Sequence, residues 1–468
     1  MSRSEIEARQ RTLDLIGKPI ELSSGSFGLS HFDPNRMLES HPDPETALKI
    51  RQQMDEIAVL IERMNEREQA GNRVIVLSAT AFLVTSCAYV LYQLNDVNTS
   101  FTASLPSLFT LMNFSTARKI LCRLAAWDLL PVDFGSEDPY MIRTITRPES
   151  KTRPLRICVP IGLGAGIEVN CLGPAGFLKF GFGSIEVGPV SVEPQPPIKE
   201  GGIQIIGSSL AYDLERADGS EGLEVVADRL CKYMEARPND LLTRNCVCGI
   251  SISIKSSSDI DKVFSNTRLL ALADYVSLDV GGLNNEQIKA VIVRIDELSR
   301  NAESLPQLFL KVDLTQSLPP SHEVVHALNR SSVVSGVNVN GVGVAAFNTQ
   351  ITNFSAEKDI HVRGQIVKEK STEAVSNWFK VLKNKEVIAS GGVYSGRDAM
   401  EKIEAGASLV NVFTSFVTDG PPVARRIKTQ LSVQLMNKGY YDLEEVIGSK
   451  HRIASKRLKD AMRRRKKF

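Results

Sequence analysis

From Arg156 onward, short apolar runs alternate with helical stretches, and no other feature of the chain narrows its fold so far. The candidate strands read RICVPIGLG, SIEVG, VCGISIS, YVSLDV, LFLKVD, VSGVNVN, VIASGG and SLVNVFT. Between most of them lie helical patterns such as GLEVVADRLCKYMEA, NEQIKAVIVRIDEL and GRDAMEKIEAGA. Continuous apolar strands separated by helices imply a parallel sheet buried on both faces. Eight such repeats within about 260 residues favour closure into a (β/α)8 TIM barrel over an open sheet.

In a barrel of this kind chemistry belongs to the carboxyl ends of the strands, and phosphate often binds after the seventh and eighth. Here the seventh run ends in SGGVYSGRDA and the eighth is followed by TSFVTDGPP. Glycines at such an end let backbone N–H groups approach a phosphate. The same spacing could also serve only as a tight turn. The fourth run ends in LDVGGLNN, Leu278–Asn285, where a catalytic side chain is expected and two glycines stand instead.

The 468 residues allow one large domain with extensions. Hydrophobic residues at 43% and charged residues at 24% describe a globular chain, and a net charge of +2 points to no strongly charged partner. Seven scattered cysteines do not form a disulfide framework. Cys246 and Cys248 read as strand residues, because no second Cys/His pair follows to complete a metal site.

Val74–Leu94 is uncharged and long enough to cross a bilayer as a helix. Arg63, Arg67 and Arg73 precede it, and the next twenty residues carry no Lys or Arg. That asymmetry predicts residues 1–73 inside and the large domain outside. Ile50, Met54, Ile57, Ile61 and Met64 alternate spacings of four and three, a short helical seam suited to a partner helix. After the span, Ser115–Pro131 reads as an amphipathic helix, with Ser115 as cap and Ile120, Leu121, Leu124 and Leu130 as apolar surface. Ten Lys or Arg fall between Lys450 and Phe468 against Asp460 alone, a tail suited to anionic lipid or an acidic protein. Without interleaved aromatics it does not suggest specific nucleic-acid binding. The chain thus divides into an extension (1–73), a transmembrane helix (74–94), a helical docking region (95–150), the barrel (151–450) and a basic tail (451–468).

The stretch ASGGVYSGRDAMEKIEAGASLVNVFTSF, with GPPVARRIKTQL and IGSKHR after it, resembles the C-terminal part of dihydroorotate dehydrogenase. The membrane-bound, quinone-reducing class is the closer match, because its transmembrane helix, docking region and barrel appear here in order. The resemblance implies an FMN-binding barrel at the inner mitochondrial membrane, on the intermembrane-space side. It places Ala165, Gly166, Gly188 and Lys311 against the flavin, and Gly364, Gly391, Gly392, Phe413 and Thr414 around its phosphate.

The chemical end of the family pattern is missing. The serine that acts as base falls on Gly282, which has no side chain to take a proton. A substrate-holding asparagine falls on Asp279, whose charge would repel an anionic orotate, and a lysine falls on Val169. In the sixth strand only Asn340 remains of a Thr-Asn pair, and PQPPIKEGGIQIIGSSLAYD lacks the expected asparagine motif. The sequence therefore predicts a family member without catalytic residues, serving as an accessory subunit of a mitochondrial inner-membrane assembly, plausibly respiratory. The alternative is an active FMN-dependent, quinone-reducing oxidoreductase.

Overall fold

The structure is a computed structural model. It describes residues 48, 52, 55, 82–86, 89 and 114–452, apart from 134, 136–137, 147–149, 197–203, 207–208, 214–218, 319 and 345–359. The seam residues Ile50, Met54, Ile57, Ile61 and Met64, most of Val74–Leu94 and the tail beyond Arg452 lie outside the described residues. Among the described residues no helix is long and apolar enough to cross a membrane. The chain divides into two compact units, Met1–Thr85 and Ser86–Phe468, and the barrel belongs to the second.

The strands run in chain order as β1 (Arg143–Ile145), β2 (Leu155–Ile157), β3 (Ile161–Leu163), β4 (Ser184–Ser191), β5 (Gln204–Ile206), β6 (Ser209–Asp213) and β7 (Val247–Ser253). They continue as β8 (Tyr275–Asp279), β9 (Gln307–Val312), β10 (Val334–Val339), β11 (Gly343–Val344), β12 (Ile360–Gly364), β13 (Glu386–Ser390) and β14 (Leu409–Val412). Eight of them, β3, β4, β7, β8, β9, β10, β13 and β14, form a closed parallel barrel. Closure is direct, with Val410 of β14 opposite Ile161 of β3.

Two local departures have simple causes. The run RICVPIGLG is two strands, because Pro160 between them has no N–H for a ladder. Its first part, β2, turns back antiparallel on β1 and covers the amino end of the barrel. There Ile145, Leu155 and Ile157 cluster with Tyr275, Phe309 and Leu409. Arg143 locks this hairpin, donating to both oxygens of Glu386 at 2.9 Å and to Glu444. The stretch Ile260–Ala273, which reads as one helix, breaks at Asn266, whose side chain accepts the Leu269 N–H and starts a second one.

Elsewhere helical periodicity and packing agree. The helix Asn285–Leu298 is opened by a capping box between Asn284 and Gln287 and buries Ile288, Val291, Ile292 and Ile295. Each of those side chains contributes about 1.5–3 kcal/mol on leaving water. The amphipathic helix runs Phe114–Ala126, so Ser115 lies within it rather than at a cap. It buries Phe114, Ala117, Leu121, Cys122 and Ala125. Gly176 admits the helix closely, because a methyl group there would meet the Ala125 carbonyl oxygen at 2.7 Å. The helix therefore spends its apolar face on the body of the second unit, and Trp127 and Leu129 are left exposed.

One sheet was not expected at all. β5, β6, β12 and β11 form a four-stranded antiparallel sheet made from the loops after β4 and β10. In it Arg363 of β12 stands opposite Leu210 of β6. The PQPPIKEGGIQIIGSSLAYD segment thus contributes two of these strands, β5 and β6.

Candidate functional site

The rim after β13 and β14 is built from backbone. Gly391 and Gly392 have φ of +100° and +69°. A methyl group at Gly391 would come within 2.7 Å of the Gly341 Cα, and one at Gly392 within 2.4 Å of the Lys368 Cα. Only glycine fits both the conformation and the space. The turn is held from below. Ser390 Oγ accepts the Gly341 N–H at 2.8 Å and faces the Val339 carbonyl. Ser371 Oγ lies 2.9 Å from the Gly391 carbonyl and accepts a hydrogen bond from Lys402 Nζ. Burial lowers the Lys402 pKa to about 7, a shift that Asp398 and Glu401 oppose and Lys368 reinforces.

Gly364, at the end of β12 with φ of +99°, joins this rim. Gly364, Gly391, Gly392, Phe413, Thr414 and Arg363 line one small cavity of about 20 Å³. Asn340 lines it too. Five of the nine residues expected at a cofactor are therefore brought together, and all five belong to the expected phosphate end.

The other four, Ala165, Gly166, Gly188 and Lys311, do not line that cavity. Gly166 and Gly188 hold each other, the Gly166 N–H donating to the Gly188 carbonyl at 2.7 Å. A methyl group at Gly166 would meet the Phe413 ring at 2.6 Å, so that ring lies between Gly166 and the cavity. The Arg363 guanidinium sits 5.1 Å from the centre of the same ring, and Phe114 packs against it at 6.2 Å. The residues present fit a phosphate. The Phe413 ring stands beside Gly166 with the Arg363 guanidinium over it.

Lys311 is engaged inside the barrel. Its Nζ pairs with Glu186 at 2.6 Å and donates to Ser251 Oγ at 3.1 Å. The second Glu186 oxygen accepts from Asn338 Nδ2 at 2.7 Å and from the Tyr275 hydroxyl at 3.1 Å. Burial, then the Glu186 charge, push the Tyr275 pKa well up. Sequence reasoning missed Glu186, Asn338 and Tyr275 as a group. The signal was available in SIEVG, where an acid inside a continuous apolar strand requires a buried partner.

The rim after β8 is different. Asp279 ends the strand, and its Oδ1 accepts the Gly281 N–H at 3.1 Å. Burial raises its pKa, while Lys311, that N–H and Arg363 pull it down. Among the described residues, apart from its chain neighbours, no atom lies within 4 Å of where a Cβ at Gly282 would stand. Asn284 is used as the cap of the following helix. Val169 is buried at 3% exposure. Beside it Glu168 is equally buried, accepts the Leu172 and Gly173 N–H groups at 3.0 Å, and has its pKa raised by burial. Among the described residues no cluster of His, Cys, Asp and Glu could hold a metal ion.

Comparison with known proteins agrees with this layout. The family model described as dihydroorotate dehydrogenase matches residues 149–435. The chain is 26% identical over 411 residues to the mitochondrial dihydroorotate dehydrogenase (quinone) of Mus musculus, covering 82% of this chain and 98% of that protein. It is 28% identical over 302 residues to dihydroorotate dehydrogenase (quinone) of Halobacterium salinarum, covering 62% and 82% respectively. Among solved structures, a dihydroorotate dehydrogenase from Eimeria tenella in complex with ferulenol superposes with a TM-score of 0.63 at 26% identity. That match covers 74% of this chain and 99% of the other.

Proposed function

Because this chain belongs to the dihydroorotate dehydrogenase family, we propose that it is a member whose barrel no longer oxidises dihydroorotate and serves as a structural subunit of a membrane assembly. The observation that carries the reading is Gly282. The family base falls there, and the position offers no side chain, nor, among the described residues beyond its chain neighbours, any atom within 4 Å of where one would start. Proton abstraction needs a group within hydrogen-bond reach of the substrate carbon. Val169 supplies no charge where the family has a lysine. The network around Glu186 and Lys311 then acts as packing, a buried pair whose hydrogen bonds are completed by Ser251, Asn338 and Tyr275.

The location follows the same reading. The mouse relative and one from Arabidopsis thaliana are named mitochondrial. Val74–Leu94 with its flanking arginines supports an anchor in the inner membrane, barrel on the intermembrane-space side. The seam Ile50–Met64 and the basic tail are the contact surfaces this role requires, one apolar and one for anionic lipid or an acidic partner.

The decisive experiment is a quinone-linked dihydroorotate assay on the purified full chain, with and without added FMN. No turnover above background is expected. Rates in the ordinary enzyme range of about 1–1000 per second would overturn the reading. In parallel, native gels of mildly solubilised membranes should carry the protein in a band far heavier than one chain, and a band at monomer size would remove the subunit role.

A further inference from the structure

Two turns of the second unit meet at one lysine and leave their apolar side chains in solvent. We propose that they form a docking face for a partner subunit that presents apolar side chains bordered by carboxylates. The inference rests on the reading of this chain as a subunit of a membrane assembly, and it assigns that role a surface on the barrel unit.

The first turn ends the helix Phe114–Ala126. There the Leu129 N–H donates to the Leu124 carbonyl at 2.9 Å, and Asp128 takes a φ of +57°, the left-handed conformation that closes many helix ends. Trp127 before it is 67% exposed, and Leu129 after it is also exposed. The second turn is Asp240–Arg244, closed by the Arg244 N–H on the Asp240 carbonyl at 2.9 Å. It leaves Leu241 60% exposed, with Leu242 exposed beside it. Lys179 joins the two turns. Its Nζ donates to the Asp128 oxygens at 2.7 and 2.9 Å and lies 3.9 Å from an Asp240 oxygen. The Lys179 side chain is largely buried, so it ties the turns together without covering their apolar tips.

The charge bordering these side chains is positive. Lys119 and Arg123 precede Trp127 at intervals of four, on one side of the helix, and Arg244 follows Leu242. All three are exposed, and no ion pair among the described residues holds them. The helix spends its other face, Ala117, Leu121 and Ala125, on the body of the unit. Trp and Arg are the side chains that most often carry the energy of an interface. Cations without partners at its edge select carboxylates and make association depend on salt. A bilayer is the poorer cover. Asp128 and Asp240 lie between the two turns, and carboxylates are costly in hydrocarbon, whereas a protein surface can hydrogen-bond them.

The test uses the full chain in its membrane. Trp127→Asp with Leu241→Asp should lower the share of protein in the heavy native-gel band by about fivefold or more. Val293→Asp, at an exposed apolar position of the helix Asn285–Leu298, should leave it unchanged. Lys119→Glu with Arg123→Glu should move release to lower salt. A photoreactive benzoylphenylalanine in place of Trp127 needs no disruptive substitution, so it decides the question even if the aspartate variant fails to fold. It should crosslink to a different polypeptide, within a segment rich in Asp or Glu. An adduct of two copies of this chain, or one in a segment without acids, would overturn the proposal. Trp378, the only other tryptophan, is buried. Phosphatidylcholine–cardiolipin vesicles with nitroxide-labelled acyl chains should therefore leave the fluorescence of the reconstituted chain unquenched, and quenching would assign the face to lipid and overturn the proposal. A wild type at monomer size would end the subunit reading and this face with it. A heavy band that retains the Trp127→Asp, Leu241→Asp chain would remove this face and leave the subunit reading standing.

Discussion

The rims after β13 and β8 meet the same mouth and are built on opposite principles. At β13 the groups that matter are backbone, and Gly391 and Gly392 are fixed by positive φ and by neighbours that a methyl group would strike. At β8 the groups that mattered to the family are side chains. A Cβ at Gly282 would meet no described residue beyond its chain neighbours within 4 Å, and Asp279 accepts from its own loop. A site made of backbone shape is tied to the packing of the barrel and is lost only with it. A site made of side chains is lost one atom group at a time, with little consequence for the fold.

Substitutions can break that contrast. The largest effect is expected at Gly392→Ala, which combines a left-handed φ with a 2.4 Å approach to the Lys368 Cα. It should cost about 3–5 kcal/mol in urea unfolding, together with any phosphate protection. A loss below about 1 kcal/mol would mean that this rim is as tolerant as the other.

Lys402 gives the next effect, through pH. Its pKa in the fold is depressed from 10.5 to about 7 by burial. Between those values the unfolded chain binds the extra proton and the fold does not, so stability rises with pH across that window and levels off at its lowest below about pH 7, where both states carry the proton. In Lys402→Met the slope should disappear, a change on the order of 3–4 kcal/mol between pH 7 and 10. Parallel pH profiles for the two proteins would show that the lysine beneath Ser371 is charged throughout.

Asp279→Asn sharpens the comparison from the other side. The amide oxygen can still accept the Gly281 N–H, and the buried charge is gone. Because burial raises the Asp279 pKa, ionisation opposes folding and its cost appears as pH rises through the carboxylate range. The variant should be more stable than wild type at pH 7 by up to about 1 kcal/mol, and equal to it in acid. Destabilisation at pH 7 would show that the carboxylate has a partner worth keeping. The smallest effect belongs to Gly282→Ser, within about 0.5 kcal/mol of wild type, and without dihydroorotate turnover. If turnover returned with that single hydroxyl, the β8 rim would have lost one side chain rather than a site.

The sequence by itself determined the barrel and the cradle. A parallel sheet buried on both faces needs apolar runs at helix-separated intervals, and the runs from VCGISIS to SLVNVFT mark six of the eight strands almost to their ends. Gly391 and Gly392 stand out in the sequence as a glycine pair at the end of a counted strand, while Gly364, Phe413, Thr414 and the base position at Gly282 came only from the resemblance to the family. Only the tertiary structure decided what stands over the mouth. Arg363 lies some 200 residues from Gly166 in the chain, on a strand whose partner β6 comes from the loop after β4, with no apolar alternation long enough to announce either. Its stacking on Phe413, like the meeting of Lys311 with Glu186, depends on where distant loops cross. Such contacts are set by packing in space, and local pattern in a chain carries no record of them.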